Sequence, residues 1–272
     1  MANPICRVDR LAWRHAGPSV GERALPEETA IAFTYNGTSY AVMMATPRDL
    51  EDFAIGFSLT EGIVDTPDEI ETLEIVEEEV GIELRMWLSA SRATSFQARR
   101  RHMAGPTGCG LCGIETLTQA MRPLPQVSEG PHFSPAEIME AVSSLAPSQL
   151  INLETRAVHA AGFWSGERGL VALREDVGRH NALDKLGGAM ARSGLSGGDG
   201  IAILTSRISV EMVQKAAMIG IPLLVAVSAP TALAVRTAEA CNITLIGIAR
   251  GDGFEIFTHA HRVALEAEMH VA

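Results

Sequence analysis

The chain has 272 residues, 47% of them hydrophobic, and a formal net charge of −11, which allows one large domain or two small ones around a full core. That acidity argues against general affinity for nucleic-acid polymers or an anionic membrane, while a local basic patch could still take a small anionic ligand. With no run of about 18 apolar residues to span a bilayer, no signal-peptide pattern and only four cysteines, a cytoplasmic protein with reduced thiols is expected rather than a disulfide framework.

Residues 1–28 carry Arg7, Arg10, Arg14 and Arg23 with little apolar periodicity and read as an arm or an irregular lead-in. From Ala30 the pattern sharpens. Ile31, Phe33 and Tyr35 alternate with smaller residues, Asn36-Gly37 supplies a type I′ turn, and Tyr40, Val42 and Met44 return, which predicts a hairpin. Thr46-Pro47-Arg48-Asp49 predicts a helix start, with Thr46 as cap and Pro47 at the first helical position. Leu50, Phe53, Ala54 and Phe57 then follow at helical spacing, and Gly62 closes the helix. Residues 73–88 return to strand character, so a small sheet with one helix on it accounts for the first hundred residues.

Gly108-Cys109-Gly110-Leu111-Cys112-Gly113 places two thiols two residues apart among glycines, whose lack of side chains leaves the sulfurs reachable. Ile114, Leu117 and Met121 predict a short helix after it. A helix start beside Cys112, with Arg99, Arg100, Arg101 and His102 upstream, would favour thiolate. A Cys-x-x-Cys pair can be a redox couple, half a zinc site, a sulfur carrier or chemically silent. Zinc would need two further ligands at a recognisable spacing, and Cys6 and Cys241 are isolated, so no metal site is expected. A thioredoxin-like site expects its pair after the first strand of a βαβ unit, whereas this pair follows an antiparallel region. Thiolate sulfur chemistry is the strongest of these readings.

Pro123, Pro125, Gly130 and Pro131 mark 123–133 as a connection, dividing an N-terminal α+β lobe (1–122) from an α/β core (123–272). Ser134-Pro135-Ala136-Glu137 is a capping box opening a helix through about Leu145. Strand-like runs at 157–164 and 169–173 flank a Ser165-Gly166 turn, and Asp176, Arg179, His180, Asn181 and Asp184 crowd the entrance of the next helix. That cluster serves either as a cap with charges paired around it, Asn181 being the cap, or as a ligand-facing group. His159, in an apolar run, reads more readily as a buried histidine than as a catalytic one. His259 and His261 read as exposed or ligand-adjacent rather than as a metal pair, since i and i+2 serves a strand ligand set only with help from elsewhere.

Apolar runs at 201–204, 222–227 and 243–248, with helical segments at 209–219 and 231–240 between them, predict a parallel β-α-β-α-β unit with right-handed crossovers. Thr205-Ser206-Arg207, Ser228-Ala229-Pro230-Thr231 and Arg250-Gly251-Asp252-Gly253 follow the three strands directly. Loops at the carboxyl ends of such strands collect ligands, and helix starts there offer N–H groups to anions. These loops are expected to line one pocket; Arg250 to Gly253 taken alone could be merely a hairpin turn, but its position beside the other two loops favours a binding role.

Together the cysteine loop, Glu175-Asp176-Val177-Gly178-Arg179-His180-Asn181-Ala182-Leu183-Asp184-Lys185, Glu211-Met212-Val213-Gln214-Lys215 and Ser228-Ala229-Pro230-Thr231 resemble the formate dehydrogenase accessory sulfurtransferase family, FdhD. The resemblance runs from about Thr46 to His261 and includes Leu59-Thr60-Glu61-Gly62 and Gly247-Ile248-Ala249-Arg250. It implies a cytidine-deaminase-like three-layer α/β core plus the smaller N-terminal lobe, often as a homodimer. Deaminase activity is not implied, because His159 is followed by Ala160-Ala161 and Cys109 is preceded by Gly108, where the zinc deaminases need His-x-Glu and Pro-Cys-x-x-Cys. The resemblance further implies that sulfur arrives from a cysteine desulfurase as a persulfide on Cys109, with Cys112 assisting relay or release. The sulfur is then delivered to the molybdenum bis(molybdopterin guanine dinucleotide) cofactor of formate dehydrogenase. By the same resemblance that cofactor is a bound substrate met by Ile248, Ala249, Arg250, Gly251, Asp252 and Gly253, the loop already selected by its place at a strand end. Ser206, Arg207, Ser228, Thr231 and His180 complete the candidate site. The chain departs from the family where Glu154-Thr155-Arg156-Ala157-Val158 replaces a Thr-Gly-Gly-like turn before His159. The competing readings are a cofactor-binding chaperone that moves no sulfur and a dithiol oxidoreductase.

Overall fold

A computed structural model describes residues 3–101 and 123–265. The first element corrects the expectation for residues 1–28: β1 (Ile5–Arg14) and β2 (Gly17–Pro26) pair antiparallel along their full length as a two-stranded ribbon. Its pattern was illegible because solvent lies on both sides, and Ala24 is its only buried residue. Alternation marks a strand only where one face meets a core.

The N-terminal lobe is a four-stranded sheet ordered β4-β3-β6-β5, built from β3 (Thr29–Tyr35), β4 (Thr38–Ala45), β5 (Ile70–Glu78) and β6 (Gly81–Leu88). Asn36 and Gly37 both have positive φ, 48° and 73°, as the type I′ turn requires. Ile31, Phe33, Tyr35, Ile82, Leu84 and Met86 point to one face, where Phe53 and Phe57 of α1 (Leu50–Thr60) and Phe96 of α2 (Ala90–Arg101) cover them. Helix α1 begins three residues later than the sequence suggests. Asp49 is the cap position, with φ 54° and no side-chain capping bond. Thr46 is instead buried and committed to the other lobe: its N–H donates to Asp176 and its hydroxyl accepts from the Val177 N–H.

The core sheet has six strands in the order β12-β11-β10-β9-β7-β8. They are β7 (His159–Ser165), β8 (Gly169–Asp176), β9 (Ile201–Leu204), β10 (Leu223–Ala226), β11 (Thr244–Arg250) and β12 (Gly253–Ile256). Strands β9, β10 and β11 are mutually parallel, as the βαβαβ pattern predicts, and β7 lies antiparallel beside β9. Period-two alternation sorts their side chains to two faces. Ala202, Leu204, Leu224, Ala226 and Leu245 pack with α5 (Arg179–Arg192), α6 (Val210–Met218) and α7 (Ala232–Ala240). Ile201, Ile203, Leu223, Val225 and Ile246 pack with α3 (Pro135–Ser148), after which comes the short α4 (Leu150–Thr155). This is the expected three-layer core, and it explains why these strands read as continuous apolar runs. The Ser134 capping box is present with both of its hydrogen bonds.

The lobes join where α1 crosses α5. A Cβ on Gly56 would overlap the Asp184 carbonyl, and one on Gly188 would overlap the backbone of Asp52, so only glycine permits this approach. Asp52 is 4% exposed and holds Arg174 at 2.6 Å and Arg192 at 2.8 Å across the crossing.

Candidate functional site

The motif from Glu175 to Lys185 folds into the floor beneath the sheet's carboxyl edge. Asp176, fully buried at the end of β8, accepts from Lys185 Nζ (2.6 Å), the Gly178 N–H (2.7 Å), Asn181 Nδ2 (2.9 Å) and the Thr46 N–H (3.0 Å). Asn181 is thus not the helix cap: Gly178 occupies that position, and the Asn181 amide bonds Asp176 and the Met44 carbonyl from inside α5. One turn further, Asp184 accepts from Thr60 Oγ1 (2.5 Å) and Lys215 Nζ (2.9 Å), and Lys215 also donates to Glu61. Burial pushes the Asp184 carboxyl up to about 6, with Lys215 opposing; burial pulls on Lys215, but Asp184 and Glu61 outweigh it and hold its ammonium above the usual range. These charges are structural and satisfied, and they tie α1 to α5 and α6.

Arg179 and His180 stand at the half-buried start of α5. The His180 Nε2 and Arg179 Nε atoms are buried without a hydrogen-bond partner, and the nearest acid to His180, Glu211 of α6, is 3.7 Å away. Burial, then the charges of Arg179 and Lys215, lower the His180 pKa to about 4, so the ring is neutral at pH 7 and its contact with Glu211 is not an ion pair. Glu211 is fixed by the Ser209 hydroxyl at 2.5 Å. His159, at the start of β7, also has its pKa lowered, by burial first and Arg179 second.

The three strand-end loops are brought side by side. Ile208, after Ser206 and Arg207, bridges Pro230 and receives the Thr231 N–H (2.9 Å), and the Ile248 N–H donates to the Ser228 carbonyl (3.2 Å). Ser206 is buried with its hydroxyl on the Arg207 carbonyl, whereas Arg207 is exposed. Thr231 caps α7, accepting from the Ala234 N–H (3.2 Å). Arg250 to Gly253 form the hairpin turn between β11 and β12, with Arg250, Gly251 and Asp252 exposed and Ala249 buried. A bulge between Gly247 and Arg250 places Ile248 at φ 54°, a conformation that strains a β-branched side chain and redirects the chain into this turn. Cys109, Cys112 and the helix expected over 114–121 lie outside the described residues.

Sequence reasoning missed a cleft of about 320 Å³ on the α3 side of the carboxyl edge, floored by Leu145, Val158 and Val227 and bordered by Gln149, Asn152, His159 and Thr205. Glu175, buried at the end of β8, accepts the Ile151 and Asn152 N–H groups, each at 2.8 Å, and so caps α4 from a neighbouring strand. Only the Pro147 near the end of α3 hinted at a break there. Among the described residues no group of three or more His, Cys, Asp or Glu could hold a metal ion, and no helix is long and apolar enough to cross a membrane.

Fold and site define a two-lobed α/β protein whose polar loops gather at the carboxyl edge of a three-layer core, over a floor of buried ion pairs. Comparison with known proteins gives that class its family: residues 26–264 match the FdhD/NarQ family, and the chain belongs to it. The sulfur carrier protein FdhD of Agrobacterium fabrum is 54% identical, covering 95% of this chain and 96% of that protein. The one from Brucella abortus is 56% identical, covering 94% and 96%. A crystal structure of a formate dehydrogenase accessory protein from Desulfotalea psychrophila superposes with a TM-score of 0.75 over 96% of this chain and 100% of that one, at 24% identity, which bears on the fold alone.

Proposed function

We propose that this chain is a cytoplasmic sulfur carrier that takes sulfur from a cysteine desulfurase onto Cys109 and delivers it to the molybdenum bis(molybdopterin guanine dinucleotide) of formate dehydrogenase. The observation that carries this reading is identity above 50% along nearly the whole chain with proteins named as sulfur carriers, together with a Cys-x-x-Cys pair set in glycines. In the loading step the Cys109 thiolate attacks the outer sulfur of the donor's persulfide; the donor S–S bond breaks, the donor leaves as thiolate, and Cys109 carries the new persulfide with no net redox change. In release, the Cys112 thiolate attacks the inner sulfur. A Cys109–Cys112 disulfide forms and the outer sulfur departs as hydrosulfide toward the bound substrate, after which a dithiol reductant restores both thiols. The strand-end loops suit the substrate's diphosphates, because Arg250 supplies a cation and the Gly251 to Gly253 backbone supplies N–H donors.

Incubation with an active cysteine desulfurase and cysteine, followed by intact mass measurement, tests the loading step. Wild type and Cys112→Ala are expected to gain one sulfur, about 32 Da, and Cys109→Ala none. The absence of any gain on wild type would favour a chaperone that holds the cofactor without moving sulfur.

A further inference from the structure

The β1–β2 ribbon is a long element without a core of its own. Its register sets Leu11 opposite Val20 and Trp13 opposite Pro18, and alternation puts these four side chains on one face at the turn end of the ribbon. Leu11, Trp13 and Val20 are each at least 73% exposed. Only the base is anchored: Arg23 donates to the Thr155 carbonyl (3.1 Å), and Arg7 stands 3.7 Å from Glu154. A two-stranded ribbon is marginally stable at best in water, and a bare apolar face on it calls for a surface to cover it.

The N-terminal lobe has an uncovered face as well. The inner side of its sheet is closed by Phe53, Phe57 and Phe96, whereas Val42, Met44 and Trp87 on the outer side are about half exposed. At one end of that side lies a groove of about 440 Å³, with Ala30, Met44 and Val80 as apolar lining and Glu77, Glu78 and Glu79 on its acidic side. Trp13 and Val80 are both exposed, so the ribbon does not fill the groove of its own chain.

The two surfaces also match in charge. From Ile5 to Pro26 four arginines stand against two acids, net +2, and from Ile70 to Leu88 six glutamates stand against Arg85 alone, net −5. A basic ribbon with an apolar face thus finds both a bare apolar surface and the opposite charge on another copy of the chain. Tryptophan and arginine, adjacent here as Trp13 and Arg14, are the side chains that most often anchor an interface. The ribbon lies ahead of residues 26–264, the part matched to the family, so the contact belongs to this segment and not to the shared core.

We propose that the ribbon is a docking arm for a second copy of this chain: Trp13 enters the groove at Met44 and Val80 of the partner subunit, and Arg14 meets Glu78 and Glu79 of the partner subunit. Each copy presents both surfaces, so the contact is made twice and closes as a two-fold pair. The contact involves no step of sulfur transfer and does not depend on that function.

Sedimentation equilibrium and crosslinking of the full chain test this. Wild type is expected to self-associate, and Trp13→Ser to weaken the association by roughly thirtyfold. Arg14→Glu is expected to weaken it less, and the same chain carrying Glu78→Lys and Glu79→Lys as well to recover it, which a loss of folding would not allow. For crosslinking, chain with p-benzoylphenylalanine in place of Trp13 is mixed with nitrogen-15-labelled wild type and photolysed. The expected products join position 13 to residues 42–44 or 77–82 of the labelled copy. A wild type that stays monomeric, an association unchanged in Trp13→Ser, or crosslinks that are missing, confined to one chain or directed to another surface would overturn the proposal.

Discussion

His180 holds its imidazole where a proton is penalised, and this has a measurable sign. The unfolded chain protonates that side chain below about 6.5, the folded chain only near about 4, so unfolding takes up a proton between those values. Stability therefore falls as pH drops through the window, by about 2–3 kcal/mol from this group. Asp184 acts in the opposite sense: its carboxyl, raised to about 6 from 3.8, keeps a proton in the fold that the unfolded chain has released. The comparison that isolates His180 is urea unfolding of wild type and His180→Gln at pH 7 and pH 4. Wild type is expected to lose about 2–3 kcal/mol more than the variant; parallel losses would show that the ring is protonated freely. At this scale the sequence named His180 but not its state. A neutral histidine is a product of Arg179, Lys215 and burial acting together, and Lys215 stands 35 residues away on another helix.

Elements were legible where the sequence pattern reflected one-sided burial. The β3–β4 hairpin, the Ser134 capping box and the alternating β-α-β-α-β segment follow directly from residue type and spacing. The β1–β2 ribbon was not, because nothing covers either face along most of its length. Thr46 was misassigned as a cap because Thr-Pro is a good local start for a helix, and its buried bonds to Asp176 and Val177 override that local preference. The same contacts define the weakest point for substitution. Lys185 and Asp176 are both fully buried, and removing the ammonium leaves a carboxylate uncompensated in the interior. Lys185→Met is expected to cost about 3–5 kcal/mol in chemical denaturation, with α1 loosened from α5. A loss below 1 kcal/mol would mean that the remaining N–H donors around Asp176 suffice without the cation.

Across the whole molecule, the close crossing of α1 on α5 at Gly56 and Gly188 makes the lobe that leads into the cysteine loop continuous with the lobe that carries the strand-end loops. A carrier of the proposed kind has to bring one sulfur first to a protein donor and then to a large cofactor. The most direct test is a single-turnover transfer. Protein loaded with radiolabelled persulfide sulfur is freed of donor and mixed with formate dehydrogenase purified from cells lacking this carrier. The account predicts that label moves to the dehydrogenase's cofactor and formate oxidation appears together with it, and that Cys109→Ala supports neither. Dehydrogenase activity restored by Cys109→Ala, without label on the cofactor, would contradict it.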